Sequence, residues 1–164
     1  MLLVKAFKFI APLGPIRYEH MIKHLIRQAI PDHISALSDL DQIAQDSSER
    51  RDFIQDAVKN NRAWIIEFSD GPIGYGVISH GFFGRSFIDL IYIAATQRSP
   101  GYGSKLLAFL EGQSQSNDLF TSTNKSNSHM QHVLEKLGYE RSGIIHNLDP
   151  GDPEIVYIKR SVCT

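Results

Sequence analysis

Apolar residues recur along this chain in two periods, and the switches between them divide it into elements. His24 to Ala29 (HLIRQA) reads as a short strand ended by Pro31. Ile34, Leu37, Leu40, Ile43 and Ala44 then fall on one helical face, and Phe53, Ile54, Ala57 and Val58 on a second. Ser47 or Ser48 caps this second helix, and Asn60 and Asn61 end it. Ala63 to Phe68 (AWIIEF) and Ile73 to His80 (IGYGVISH) form a strand pair around the Asp70-Gly71 turn. Phe87 to Ala95 (FIDLIYIAA) is apolar almost without alternation, which predicts a strand buried on both faces. Gly103, Leu106, Leu107 and Leu110 return to helical spacing, and Leu119 to Thr123 is a further strand. Met130, Val133, Leu134 and Leu137 form the stripe of the last helix, with a capping box expected from Ser128 and Gln131 and a C-cap at Gly138. Two strands, Arg141 to His146 and Ile155 to Lys159, finish the chain around the acidic turn LDPGDPE. The order β-αα-βββ-α-β-α-ββ predicts an α/β domain around one mixed sheet.

Length and composition narrow the class. The 164 residues suit one domain, read here as 21–164 behind an N-terminal arm of residues 1–20. The arm carries Leu2, Leu3, Val4, Phe7, Phe9 and Ile10; it could pack on its own domain or reach across a homodimer, and the dimer is the expectation. It is broken by Lys5 and Lys8, too short for a membrane span, and lacks a basic leader and small-residue cleavage site. Seventeen basic residues against 18 acidic leave no cationic excess, so neither nucleic acid nor membrane is an expected partner. The only cysteine, Cys163, argues against a cysteine nucleophile or zinc site and fits a reducing, cytoplasmic setting.

The chemistry concentrates in Gln97 to Leu107 (QRSPGYGSKLL), where a buried strand, a glycine turn and a helix start follow one another. Such a sequence is suited to an anion, because the first N–H groups of the helix lack partners and the helix dipole favours negative charge. A P-loop is excluded, since Ser104-Lys105 stands in the wrong order. A dinucleotide fingerprint lacks its third glycine and its βαβ unit. A pyrophosphate cradle and a tight turn without ligand both remain.

Arg98-Ser99-Pro100-Gly101-Tyr102-Gly103 resembles the R/Q-x-x-G-x-G/A motif of the GNAT superfamily of acetyl-CoA-dependent N-acyltransferases. The preceding strand Ile91-Tyr92-Ile93 and the following helix resemble the same family, as do Asn127, Met130, Leu134, Gly138 and Tyr139 further on. The likeness runs from about residue 23 to 160. It implies that strands 87–95 and 119–123 splay apart and that pantetheine enters between them, pairing with the backbone of Ile93, Ala94 and Ala95. It places the diphosphate on Arg98, Ser99, Pro100, Gly101, Tyr102, Gly103 and Ser104, with Asn127 bonding the pantetheine arm. A plain helix N-cap explains Asn127 as well.

Transfer to an amine requires loss of a proton from nitrogen. Asp89, on the strand where some family members carry a catalytic Glu, is the first base candidate, and strand alternation predicts it on one face with Ile91 and Ile93. A structural salt bridge is the rival explanation, and Glu67 is the second candidate. Many members place a general-acid Tyr seven residues after the Asn; here Leu134 occupies that position, so no acid is assigned. His129 and His132 stand at helical i, i+3 spacing without a third ligand, so no metal is expected. Asp149, Asp152 and Glu154 would attract a cationic amine if their turn borders the acceptor cleft. The resemblance thus implies acetyl transfer from acetyl-CoA to a small-molecule or peptide amine by direct attack in a ternary complex; the alternative is a non-catalytic CoA-binding module.

Overall fold

The computed structural model describes residues 24–98 and 101–160. The arm, Cys163 and two of the turn residues, Ser99 and Pro100, lie outside the described residues. The chain order is β1 (Leu25–Gln28), α1 (Ile34–Leu40), α2 (Gln42–Asp46), α3 (Ser48–Lys59), β2 (Ala63–Phe68), β3 (Gly71–Phe82) and β4 (Arg85–Ile93), followed by α4 (Tyr102–Glu111), β5 (Asp118–Asn124), α5 (Ser128–Lys136), β6 (Glu140–Asp149) and β7 (Asp152–Arg160). Short 3₁₀ turns occupy Pro31–His33 and Ala95–Gln97. The strands form one sheet in the order β1-β2-β3-β4-β5-β7-β6. Among the described residues only β4 and β5 run parallel; every other neighbouring pair is antiparallel. Among the described residues no helix is long and apolar enough to cross a membrane.

The sheet buries two layers. On one face Leu37, Ala44, Ile54, Ala57 and Val58 of α1–α3 pack against Ala63, Ile65, Tyr75, Val77 and Tyr92. On the other, α4 and α5 supply Leu106, Leu107, Leu110 and Leu134 against Ile66, Ile78, Ile88, Ile93, Leu119 and Tyr157. Gly76 permits the close approach of α4, since a Cβ there would lie 2.6 Å from Leu110 Cδ1.

Two local expectations are corrected. The apolar stripe from Ile34 to Ala44 is not one helix: the backbone leaves the helical region at Asp41 (φ −84°, ψ 108°). The fully buried Asp41 caps α2 by accepting from the Ile43 N–H and also accepts the Tyr75 hydroxyl proton at 2.6 Å. That long-range partner fixes the break, so three helices precede β2. The Ser128–Gln131 capping box does not form either. Asn127 is the N-cap of α5, accepting from the Met130 N–H at 3.1 Å, while Gln131 donates to the carbonyls of Asn124 and Lys125. Ser47 caps α3, and Gly138, at φ 86°, ends α5 as expected.

Candidate active site

The site begins where two parallel strands stop pairing. β4 and β5 pair at Ser86 with Leu119, Phe87 with Phe120, and Ile88 with Thr121, and nowhere beyond. Yet β4 continues against β3 as far as Ile93, and β5 continues against β7 as far as Asn124. The two strands therefore part like a fork. Thr121 closes the crotch with its side chain, its buried hydroxyl donating to the Ile88 carbonyl at 3.0 Å. Ala94 N–H donates across to the Ile73 carbonyl on β3, so by alternation the polar groups of Ile93 point the other way, into the gap. The Ile93 carbonyl is held there by the Arg98 Nε–H at 3.1 Å, and the Arg98 guanidinium lies 5.7 Å from the Tyr92 ring centre.

At the open end of β4 lies the glycine turn. Gly101 has φ 80°, a left-handed conformation that L side chains resist, and it serves as N-cap of α4 without a side-chain bond. The first helical bond runs from Lys105 N–H to the Gly101 carbonyl. Among the described residues the N–H groups of Tyr102, Gly103 and Ser104, which precede it, have no acceptor. Gly103 needs no special backbone, and a Cβ there would meet only Ile93 Cγ1 at an ordinary 3.7 Å. Packing therefore does not demand glycine at 103, whereas a ligand lying on the helix start would. Tyr102 is fixed edge-on by His24 at 5.8 Å and Phe68 at 5.5 Å. Asn127 directs its carbonyl oxygen to the α5 cap, which leaves its amide donor uncommitted among the described bonds.

The two carboxylate candidates are not brought together. A β-bulge at Asp89 sets Ile88 opposite Ile78 but Leu90 opposite Val77, with Asp89 as the extra residue. Ile91 and Ile93 pack toward α4, while Asp89 turns to the opposite face. There it accepts from the Ser79 hydroxyl at 3.0 Å and lies 3.6 Å from an Arg62 nitrogen. The predicted shared face with Ile91 and Ile93 is thus corrected by one inserted residue. The Asp89 side chain is 23 % exposed, and burial raises its carboxyl above the usual aspartate range against the opposing pull of Ser79, Arg62 and His80. Glu67 lies on β2, two strands from the gap, in a two-pronged ion pair with Arg27 at 2.6 and 3.1 Å. Leu134 is fully buried in the α4–α5 core. Among the described residues no group of three or more His, Cys, Asp or Glu side chains is arranged to hold a metal ion, and His129 and His132 are exposed on α5.

The acidic turn reaches the same end of the sheet. Asp149 accepts from the Asn124 amide at 2.7 Å, and Asp152 accepts from the Ser126 backbone N–H and hydroxyl at 2.9 and 2.6 Å. Glu154 pairs in register with Asn124, at the open end of β5.

The Acetyltransferase (GNAT) family model matches residues 20–139. Among solved structures, a GNAT-family acetyltransferase from Bacillus cereus is 31 % identical, with a TM-score of 0.79 over 86 % of this chain and 99 % of that one. More distant folds include the ribosomal-protein-S18-alanine N-acetyltransferase of Escherichia coli (14 % identity, TM-score 0.73, 87 % of this chain and 96 % of that one). Arabidopsis thaliana NAA60, solved in complex with a bisubstrate analogue, shares the fold at 12 % identity (TM-score 0.67, 84 % and 98 % covered). No curated protein sequence matches significantly. The chain belongs to the GNAT acetyltransferase family and is an acyltransferase. The family's reaction draws on acetyl-CoA and an amine-bearing acceptor.

Proposed function

We propose that this protein transfers the acetyl group of acetyl-CoA to a primary amine by direct attack in a ternary complex. The observation that carries the reading is the fork. A strand with outward-facing polar groups, a glycine turn whose first N–H groups have no acceptor among the described residues, and an Asn127 amide without a described partner would together line the path of one extended ligand. The residues fit an extended, amide-bearing arm ending in a diphosphate. The Ile93 carbonyl and the Ala95 N–H would take the arm as an added strand, and Arg98 must release the Ile93 carbonyl to admit it. Tyr102, Gly103 and Ser104 would hold the diphosphate at the helix start, together with the 98–101 turn. Acetyl-CoA supplies the activated acyl carbon.

The remaining work falls to side chains of the chain itself. Of the two carboxylates, Asp89 is the better placed base, since it stands beside the crotch of the fork with a raised proton affinity, while Glu67 is committed to Arg27. Asp89 would take the amine proton directly or through water. No acid is assigned in place of Leu134; another hydroxyl or a water could serve, or the CoA thiol, with a pKa near that of an ordinary thiol at about 8.5, can leave unassisted. A reducing, cytoplasmic setting suits these requirements. The test is thiol release from acetyl-CoA in the presence of a panel of primary amines, with the acetylated product identified by mass spectrometry. Saturable CoA binding without thiol release for any amine would contradict catalysis.

A further inference from the structure

The two faces of the sheet differ in cover. Toward α4 and α5, Leu107, Leu110 and Leu134 pack over β4 and β5. On the other face the core of α1–α3 reaches Leu90 and Tyr92 of β4, and among the described residues none of it extends over β5, β7 or β6. The face left open is apolar. Phe82 lies among Phe83, Phe87 and Phe120 at ring-centre distances of 5.1, 4.7 and 5.2 Å. Phe82, Phe83 and Phe120 line one end of a groove of about 620 Å³. It runs across Val156 to Ile144 and Ile145 of the edge strand β6, which are 55 % and 40 % exposed. The groove lies at the closed end of the fork, where Phe87 pairs with Phe120, so an occupant there leaves the mouth free.

A knob and a notch stand at opposite ends of this groove. Phe82 pairs with Arg85, so Phe83 and Gly84 form the whole loop between β3 and β4. Both have positive φ, 48° and 75°, which makes the turn type I′. Such a turn calls for Asn or Gly at its first position, and a bulky aromatic there is a backbone outlier. Phe83 is also 91 % exposed. An unfavoured ring on a tip in water, beside an apolar groove, points to a contact that holds it. At the far end Gly143 pairs with Val156. Ile155 and Tyr157 enter the α4–α5 core, so alternation turns Val156, and position 143 opposite it, to the groove face. A Cβ at 143 would meet nothing within 4 Å, and Gly143 is not among the residues of positive φ. Neither packing nor backbone conformation demands the glycine, which in a strand marks a place where something else comes close.

We propose that this groove is the interface between two copies of the chain, related by a two-fold axis that crosses the sheets between β5 and β7. Phe83 of each copy sits in the Gly143 notch of the other. A two-fold contact needs one patch that carries both complementary features, and this patch does. A second copy is the occupant that uses knob and notch together. Arg85, the charged side chain of the described lining, stands 3.6 Å from Asp118, so the patch brings an ion pair and no net charge against itself. A buried Phe side chain removes about 150–250 Å² from water. Two of them, the surface they cover, and Ile144 and Ile145 of both copies come to on the order of 1,000 Å², the low end of specific interfaces. The expected assembly is a reversible, concentration-dependent dimer with both fork mouths open. The inference does not rest on the acyl-transfer reading.

Sedimentation velocity of the full chain over a concentration series tests the proposal. Wild type should pass from monomer to dimer as concentration rises. Phe83→Asn should raise the dissociation constant at least about tenfold, as loss of a central aromatic anchor does. Gly143→Val fills the notch with a residue suited to a strand and should do the same. Neither change should harm the fold: Asn accepts the positive φ at 83, and the space beside 143 is open. Both variants should therefore melt no lower than wild type at dilutions where wild type is monomeric. Acetyl-CoA should raise the Tm of all three proteins alike, since the mouth of the fork is not covered. A chain that stays monomeric throughout the series overturns the interface, whether or not residues 1–23 of the same subunit cover the groove. So does a dimer whose dissociation constant either variant leaves unchanged, since the contact then lies elsewhere. Failure to release thiol with any amine would count against the transferase reading and leave the interface standing.

Discussion

Replacing Gly103 with alanine should make the free protein more stable and the liganded protein less so. Gly103 lies in the first turn of α4, its φ is not positive, and the new methyl would touch only Ile93 Cγ1 at 3.7 Å. Alanine is the better helix residue by roughly 0.5–1 kcal/mol, chiefly because the unfolded chain loses flexibility. For a domain of this size each kcal/mol moves Tm by about 2–4 °C, so the free variant should melt about 1–4 °C higher. The same methyl stands where the orphan N–H groups of Tyr102, Gly103 and Ser104 would receive the diphosphate. A saturating ligand at 100 times its Kd stabilises by about 2.7 kcal/mol, an increment the variant should lose in large part. Thermal melts of both proteins, with and without acetyl-CoA, read the two effects separately. Destabilisation of the free variant would mean that packing demands glycine at 103. An undiminished acetyl-CoA shift would mean that the diphosphate does not lie on this turn.

Three further outcomes follow from single contacts. Tyr75→Phe removes the buried 2.6 Å bond to Asp41 and should cost about 1.5–3 kcal/mol by urea denaturation, with α1 and α2 loosening first in hydrogen exchange; no loss would deny that this bond fixes the break between the helices. Thr121→Val keeps the shape but removes the hydroxyl bond to the Ile88 carbonyl at the crotch, and should cost about 0.5–1.5 kcal/mol in the same assay. Asp89 gives a pH signature. Its raised folded pKa means the native state holds the proton more tightly than the unfolded chain, so its contribution to stability falls as pH rises from the ordinary aspartate value through the raised one. Asp89→Asn should therefore gain relative to wild type across that window, and a pH-independent difference between the two would remove the basis for the raised value.

Much of the site was legible because it depends on neighbours in sequence. A strand without alternation, a residue that must be left-handed at Gly101 and a helical stripe from Leu106 to Leu110 all lie within one short stretch, and their order implies the cradle. What escaped depends on partners far along the chain. The helix break at Asp41 is held by Tyr75, 34 residues away. The bulge that turns Asp89 off the face of Ile91 exists only in the register between β3 and β4. The ion pair that holds Glu67 comes from Arg27, 40 residues earlier. The slip of the α5 cap from Ser128 to Asn127 is of another kind, since both residues are good caps and only geometry chooses between them.

The central claim is where the acetyl donor lies, and backbone amide shifts of the ¹⁵N-labelled protein during titration with acetyl-CoA test it most directly. The account predicts saturable changes at Ile91, Ile93 and Ala95 along the open edge of β4, at Gly101 to Ser104 at the start of α4, and at Asn127, with β1 and β2 unmoved. Changes centred on the Arg27–Glu67 pair, with the glycine turn silent, would contradict it.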